Sequence, residues 1–148
     1  MAEYVANAVQ TINLNEAAIF TASIPCNKGY VYHADETGIF ILKGITNNCF
    51  ARYQVTFNGN IAIPTGGTVG PIAIALTENG EVRQTSRAIY VPAAVNEYGN
   101  VTSTAIITVP KGCCFTVAVE NTSAPAAPGG AAPEINVQNA NLVVSRIA

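Results

Sequence analysis

Apolar and polar positions alternate along much of this chain with a period of two, the spacing a strand imposes because successive side chains point to opposite faces. The clearest stretch is Cys49 to Phe57, where Tyr53, Val55 and Phe57 fall on one face and Arg52, Gln54 and Thr56 on the other. Asn58-Gly59-Asn60 follows and predicts a turn, since Asn and Gly tolerate positive φ. Thr68 to Thr77 sets Ile72, Ile74 and Leu76 against the small Ala73 and Ala75, and Asn79-Gly80 then marks a tight hairpin. Val101 to Val109 places Val101, Ser103, Ala105, Ile107 and Val109 on one side before Pro110-Lys111-Gly112 ends the run. Cys113 to Glu120 continues with Cys113, Phe115, Val117 and Val119 inward and Cys114 outward. Shorter strands are predicted over Ala18 to Ile24, Gly29 to His33, Gly38 to Lys43 and Ala88 to Val91. No single phase fits the last run, Ile135 to Ile147: Ala140, Leu142 and Val144 share one face, while Val137, Val143 and Ile147 share the other. A bulge or two buried faces would account for the change.

Helix signals are nearly absent. Ala93 to Tyr98 has room for one turn of helix before Asn96, Gly99 and Asn100 end it. Composition agrees: 15 Val, 15 Ile and 14 Thr stand against 4 Leu, and branched side chains favour a pleated surface over a helix. The 148 residues fit one domain. Ala124 to Pro133 consists of Ala, Pro and Gly, which neither pairs as a strand nor holds a helix, and so predicts a protruding loop. Eight to ten short antiparallel strands in one domain predict a sandwich or barrel, the jelly roll among them. Residues 1–16 mix Val5, Val9, Ile12 and Leu14 with Asn and Gln, and are expected to form an N-terminal arm or an edge strand, with the single domain spanning residues 17–148.

Charge narrows the functions. Charged residues make up 11% of the chain, well under the roughly 25% usual in soluble domains. Seven basic and nine acidic residues give a net charge of -2, which argues against nucleic-acid binding because counterion release needs clustered cations. No apolar run approaches the roughly 20 residues of a membrane-spanning helix, and Met1 to Gln10 lacks a basic leader, so no membrane association and a cytoplasmic site of synthesis are expected.

Candidate chemistry is sparse. His33 is the one histidine; with Asp35 and Glu36 it reads as a strand-end residue beside a polar turn. Gly66-Gly67 and Gly129-Gly130 lack the Lys and helix start of a phosphate loop. Ser86 and Ser123 have no evident base, so no catalytic residues and no cofactor are expected. Cys26, Cys49, Cys113 and Cys114 contain no Cys-x-x-Cys pair, and adjacent residues on a strand face opposite ways, so no metal site is expected. Buried free thiols are the default reading of the four, with a disulfide among them or to a neighbouring chain as the alternative.

Further along, the order of elements is more specific. Tyr53-Gln54-Val55-Thr56-Phe57, Val69 to Leu76, Asn79-Gly80, Val91-Pro92, the Thr-rich strand closing on Val109-Pro110-Lys111-Gly112, Thr116 to Asn121 and the ending Asn139-Ala140-Asn141-Leu142-Val143-Val144-Ser145-Arg146-Ile147 follow in sequence. This pattern resembles the bacterial and phage branch of the superfamily that includes tumour-necrosis-factor domains and complement globular heads. More narrowly it resembles small virion proteins of tailed phages, in which a Cys-Cys pair and a terminal Asn-Ala-Asn recur. The resemblance implies a ten-stranded jelly roll, a parallel homotrimer, and a place in the virion.

The low charge and a mean hydropathy of +0.29 also favour burial of part of each protomer against its neighbours. Tyr53, Phe57, Tyr98 and Phe115 are the candidates for the trimer core, with intramolecular burial as the competing reading of each. The expected function is that of a non-enzymatic head-fibre or capsid-decoration protein docked on a phage shell, its partners being two further copies and a capsid protein. The alternative is a receptor- or glycan-binding tip of a fibre or bacterial surface protein.

Overall fold

The computed structural model describes residues 2–24, 29–125, 129–130 and 133–148. In chain order the strands are β1 (Ala2–Ala6), β2 (Gln10–Ile12), β3 (Ala22–Ile24), β4 (Val31–His33), β5 (Phe40–Lys43), β6 (Phe50–Ala62), β7 (Ile72–Glu78), β8 (Glu81–Val82), β9 (Ala88–Tyr90), β10 (Gly99–Pro110), β11 (Cys114–Asn121) and β12 (Ile135–Arg146). They form two antiparallel sheets. The first runs β10-β6-β12-β1-β3, with β2 pairing the start of β12; the second runs β4-β5-β11-β7-β8, with β9 on β7. Strands adjacent in a sheet are mostly distant in sequence, so the chain crosses repeatedly from one sheet to the other.

Period-two alternation turns one face of each sheet inward. Tyr4, Tyr53, Val55, Phe57, Ile107, Leu142 and Val144 meet Phe40, Leu42, Ile72, Ile74, Leu76, Val117 and Val119 in the dry space between the sheets. Asn79 and Gly80, with φ of 51° and 84°, make the expected hairpin, which joins Glu78 to Glu81. The face of β7 carrying Ala73 and Ala75 is buried as well. Among the described residues there is no α-helix; Ala93 to Tyr98 forms a turn, and Gln84–Ser86 one turn of 3-10 helix.

Four expectations need correction. Asn58-Gly59-Asn60 is not a turn: β6 passes straight through it, Gly59 opposite Val101 on β10. The Phe57 ring lies over Gly59, so close that an added Cβ would stand 2.8 Å from its tip. The ring supplies the packing that glycine lacks, and Asn58 and Asn60 bond across to β10 as ordinary strand residues. Second, residues 1–16 divide: among the described residues β2 pairs β12 alone and is an edge strand, whereas β1 is paired on both sides, with β12 and with β3. Its Ala2, Tyr4 and Ala6 face inward, so this part of the chain builds the core rather than flanking it. Third, Ala18 to Ile24 is a strand only from Ala22; Ala17 and Phe20 make isolated bridges instead. Fourth, Cys113 is exposed, because β11 begins one residue later and Pro110 to Cys113 is a turn closed by the Cys113 N–H on the Pro110 carbonyl, 3.0 Å.

The phase change in β12 is a bulge. Its register against β6 shifts between Gln138 and Asn141, and Asn139 takes a φ of 53°. One extra residue moves the inward set from Ile135 and Val137 to Ala140, Leu142 and Val144.

Candidate interaction surfaces

The outward side of the first sheet is a grid of short polar side chains. Asn100, Asn60 and Gln138 form one rung; Thr102, Asn58 and Asn141 the next; Thr104, Thr56 and Val143 a third; Ile106, Gln54 and Ser145 a fourth. Three of the rungs are hydrogen-bonded between β6 and β10. The Thr56 and Thr104 hydroxyls lie 3.0 Å apart, Thr102 donates to Asn58 Oδ1 at 3.0 Å, and Asn100 Nδ2 donates to Asn60 Oδ1 at 3.2 Å. Among the described residues the charged side chains of this face are Arg52 and Glu3; Arg52 stacks over Phe50, and Glu3 accepts from Asn141 Nδ2. Threonine explains the local choice: its branched Cβ suits the strand and its hydroxyl finds a cross-strand partner.

This grid ends at β10, whose outer edge has no strand partner among the described residues. Beside it lies β9, likewise last on its side of the second sheet, and Ser103 Oγ donates to the Ser86 carbonyl across the gap. Ile89, Val91, Tyr98 and Ile106 are exposed along this border, Val91 at 64%. Twelve residues of open edge beside an apolar strip make a surface prone to association. At one end of the sandwich a cleft of about 400 Å³ is lined by Pro64 to Thr68, Gly70, Pro71, Ala124, Pro133 and Glu134. It contains no aromatic platform among those residues.

The four trimer-core candidates separate. Tyr53 and Phe57 are wholly enclosed by their own chain, so the intramolecular reading applies to them: odd positions of β6 face the second sheet. Phe115 packs partly against the core. Tyr98 alone of the four lies on the exposed border. Sequence reasoning missed the grid, although its period-two Thr, Asn and Gln positions on β6 and β10 were available as a signal.

The thiols differ from expectation as well. Cys49, Cys113 and Cys114 are free thiols in the single chain and are exposed rather than buried, because all three belong to strand ends and turns outside the space between the sheets; Cys26 lies outside the described residues. The loop of residues 124–133 is described only in part. His33 ends β4, where its ring stacks on Phe40 at 4.3 Å and meets Tyr4 edge-on at 4.9 Å, with Nε2 bonded to the Thr37 carbonyl at 2.8 Å. That is a packing role. Ser86 Oγ accepts the Leu76 N–H at 3.0 Å and Ser123 Oγ the Ala73 N–H at 2.9 Å, so both serines serve the backbone. Among the described residues no three His, Cys, Asp or Glu side chains converge to hold a metal.

Burial makes three groups weaker acids. The Tyr4 and Tyr53 hydroxyls are held above the usual phenol range by desolvation, Arg146 opposing the shift at Tyr53. Glu120 is raised by burial on the outer side of the second sheet.

The sequence matches no protein-family model and no curated protein. In three dimensions the chain is similar to the globular domain of the zebrafish complement 1qA protein, with a TM-score of 0.58 and 14% identity over 96% of this chain and 94% of that one. It is also similar to the Eiger TNF of S. frugiperda, with a TM-score of 0.63 and 11% identity over 100% of this chain and 92% of that one. At such identities the shared property is architecture: this chain has the jelly-roll fold of complement heads and tumour-necrosis-factor domains.

Proposed function

We propose that this chain is a non-enzymatic structural protein of a tailed-phage virion, a homotrimer that decorates the capsid or fixes a fibre to it. One observation carries the association: a sheet face with few charges, whose Thr and Asn side chains on β6 and β10 are bonded to one another, adjoins an apolar edge that is unpaired among the described residues. Burying such a face costs little desolvation, because few charges lose water and the side-chain hydrogen bonds within its rungs survive contact. Edge and face differ, so one copy's border of Ile89, Val91 and Tyr98 meets the next copy's grid, a head-to-tail contact that makes a ring when the rotation between copies is one third of a turn. The copy number of three is taken from the resemblance to tumour-necrosis-factor domains and complement globular heads. The virion role rests on the resemblance of Asn139-Ala140-Asn141 and of the Cys113-Cys114 pair to small phage proteins.

Sedimentation equilibrium tests the assembly. The expected mass is three times the 15.4 kDa of one copy. Placing carboxylates on the grid, with Gln54→Glu and Thr104→Glu together, is expected to give folded monomers. A wild-type protein that sediments as one copy overturns the assembly. Adding the trimer to particles lacking it, followed by electron cryo-microscopy, tests the docking; a trimer that ignores capsids but binds on a glycan array favours the receptor-binding alternative.

A further inference from the structure

Cysteine is among the most buried of residue types, and an exposed free thiol is usually selected against. Here all three described cysteines are exposed, and all three stand at one end of the sandwich. The backbone brings them together. The Lys111 N–H donates to the Cys49 carbonyl at 2.9 Å, the Gly44 N–H to the Cys113 carbonyl at 2.8 Å, and Cys114 lies opposite Lys43 in the β5–β11 register.

The same end gathers positive charge. Lys43 and Lys111 are neighbours of the thiols by these pairings, and Arg52 reaches the rim over the Phe50 ring, 4.7 Å from its centre. Arg146 lies over Tyr30 at 4.4 Å and, with Cys114, acts electrostatically on the Tyr53 hydroxyl. Four of the seven basic residues of the chain therefore surround this end. The nearest carboxylates in the second sheet, Glu78 and Glu81, sit on the β7–β8 hairpin, where Glu78 is bridged to Arg83 at 2.6 Å.

We propose that Cys49, Cys113 and Cys114 form a covalent modification site that takes up anionic low-mass disulfides of the glutathione class. A protein thiolate attacks one sulfur of the disulfide; the new protein S–S bond forms as the old S–S bond breaks, and the second half leaves as a thiolate that takes up a proton. Two electrons pass from the protein thiol to the small disulfide, and no other oxidant is needed. The surrounding cations draw the carboxylates of the incoming molecule and orient its sulfurs on an open surface, as reactive thiols require. The inference is independent of the trimer and of the virion: a single folded copy carries the whole site.

The test uses the intact folded protein and three probes: oxidised glutathione (anionic), hydroxyethyl disulfide (neutral) and cystamine (cationic), with adducts counted by intact mass and located by peptide mapping. At low salt the anionic probe is expected to react faster than the cationic one on the order of tenfold, the gap closing near 1 M salt, where the screening length is roughly 3 Å. Lys111→Glu, a change on an exposed turn, is expected to slow oxidised glutathione several-fold and leave the neutral probe unchanged. Equal rates for the three probes at low salt overturn the proposal. So do adducts confined to Cys26, or thiols that react only after denaturation.

Discussion

Asn121 is wholly buried at the end of β11, and its side chain fastens three separate parts of the chain. Nδ2 donates to the Ile12 carbonyl at 3.1 Å and to the Pro133 carbonyl at 2.9 Å, and Oδ1 accepts the Ser123 N–H at 3.0 Å. Its backbone also receives Asn15 and donates to Glu16. Asn121→Ala removes two buried hydrogen bonds and one part-buried one, each worth about 1 kcal/mol net, and leaves two carbonyls and one amide without their partner. The expected loss is about 3–4 kcal/mol, or roughly 10 °C in Tm for a domain of this size. Circular dichroism during urea and thermal unfolding, at one protein concentration so that assembly does not enter the comparison, measures it. Asn121→Asp sharpens the test. A carboxylate cannot donate to the two carbonyls, so the folded state favours the protonated acid and its pKa is raised above the unfolded value. Between those two values the folded state binds more protons than the unfolded, so this variant loses stability as pH rises from about 4 towards neutrality. A loss under about 1 kcal/mol for the alanine variant, or an aspartate variant with the wild-type pH profile, refutes the assignment of Asn121 as the fastener.

Two further outcomes are expected. An alanine at Gly44 would place Cβ 2.1 Å from the Pro110 carbonyl oxygen, forcing apart the turns that hold Cys113; a loss of about 2–3 kcal/mol is expected in urea unfolding, and full stability would contradict the close approach. The Tyr4 hydroxyl is buried without a hydrogen-bond partner among the described residues and its ionisation is displaced upward by burial, so wild-type stability falls as pH rises above about 10, where the unfolded chain ionises first. Tyr4→Phe is expected to be at least as stable at pH 7 and to lose less at alkaline pH; equal alkaline slopes in urea midpoints would count against it.

The strands themselves were legible because alternation is local: Tyr53, Val55 and Phe57 point one way in any half-buried strand, and Asn79-Gly80 turns wherever a hairpin is needed. Sequence alone thus determined the all-β class and the inward set of β6, β10 and β11 from Phe115 onward. Tertiary structure decided what depends on contacts between distant residues. Gly59 continues a strand because an aromatic ring covers it, and Asn139 takes the bulge that lets both halves of β12 face the core. The N-terminal residues are interior because β12 and β3, one of them at the far end of the sequence, supply both of β1's partners. Cys49 and Cys113 are exposed because the strands stop just short of them and Cys114 because it opens β11, and a strand's end is set by where its neighbours stop pairing. Local periodicity carries the direction in which a side chain points; only the packed sheets determine what it meets there.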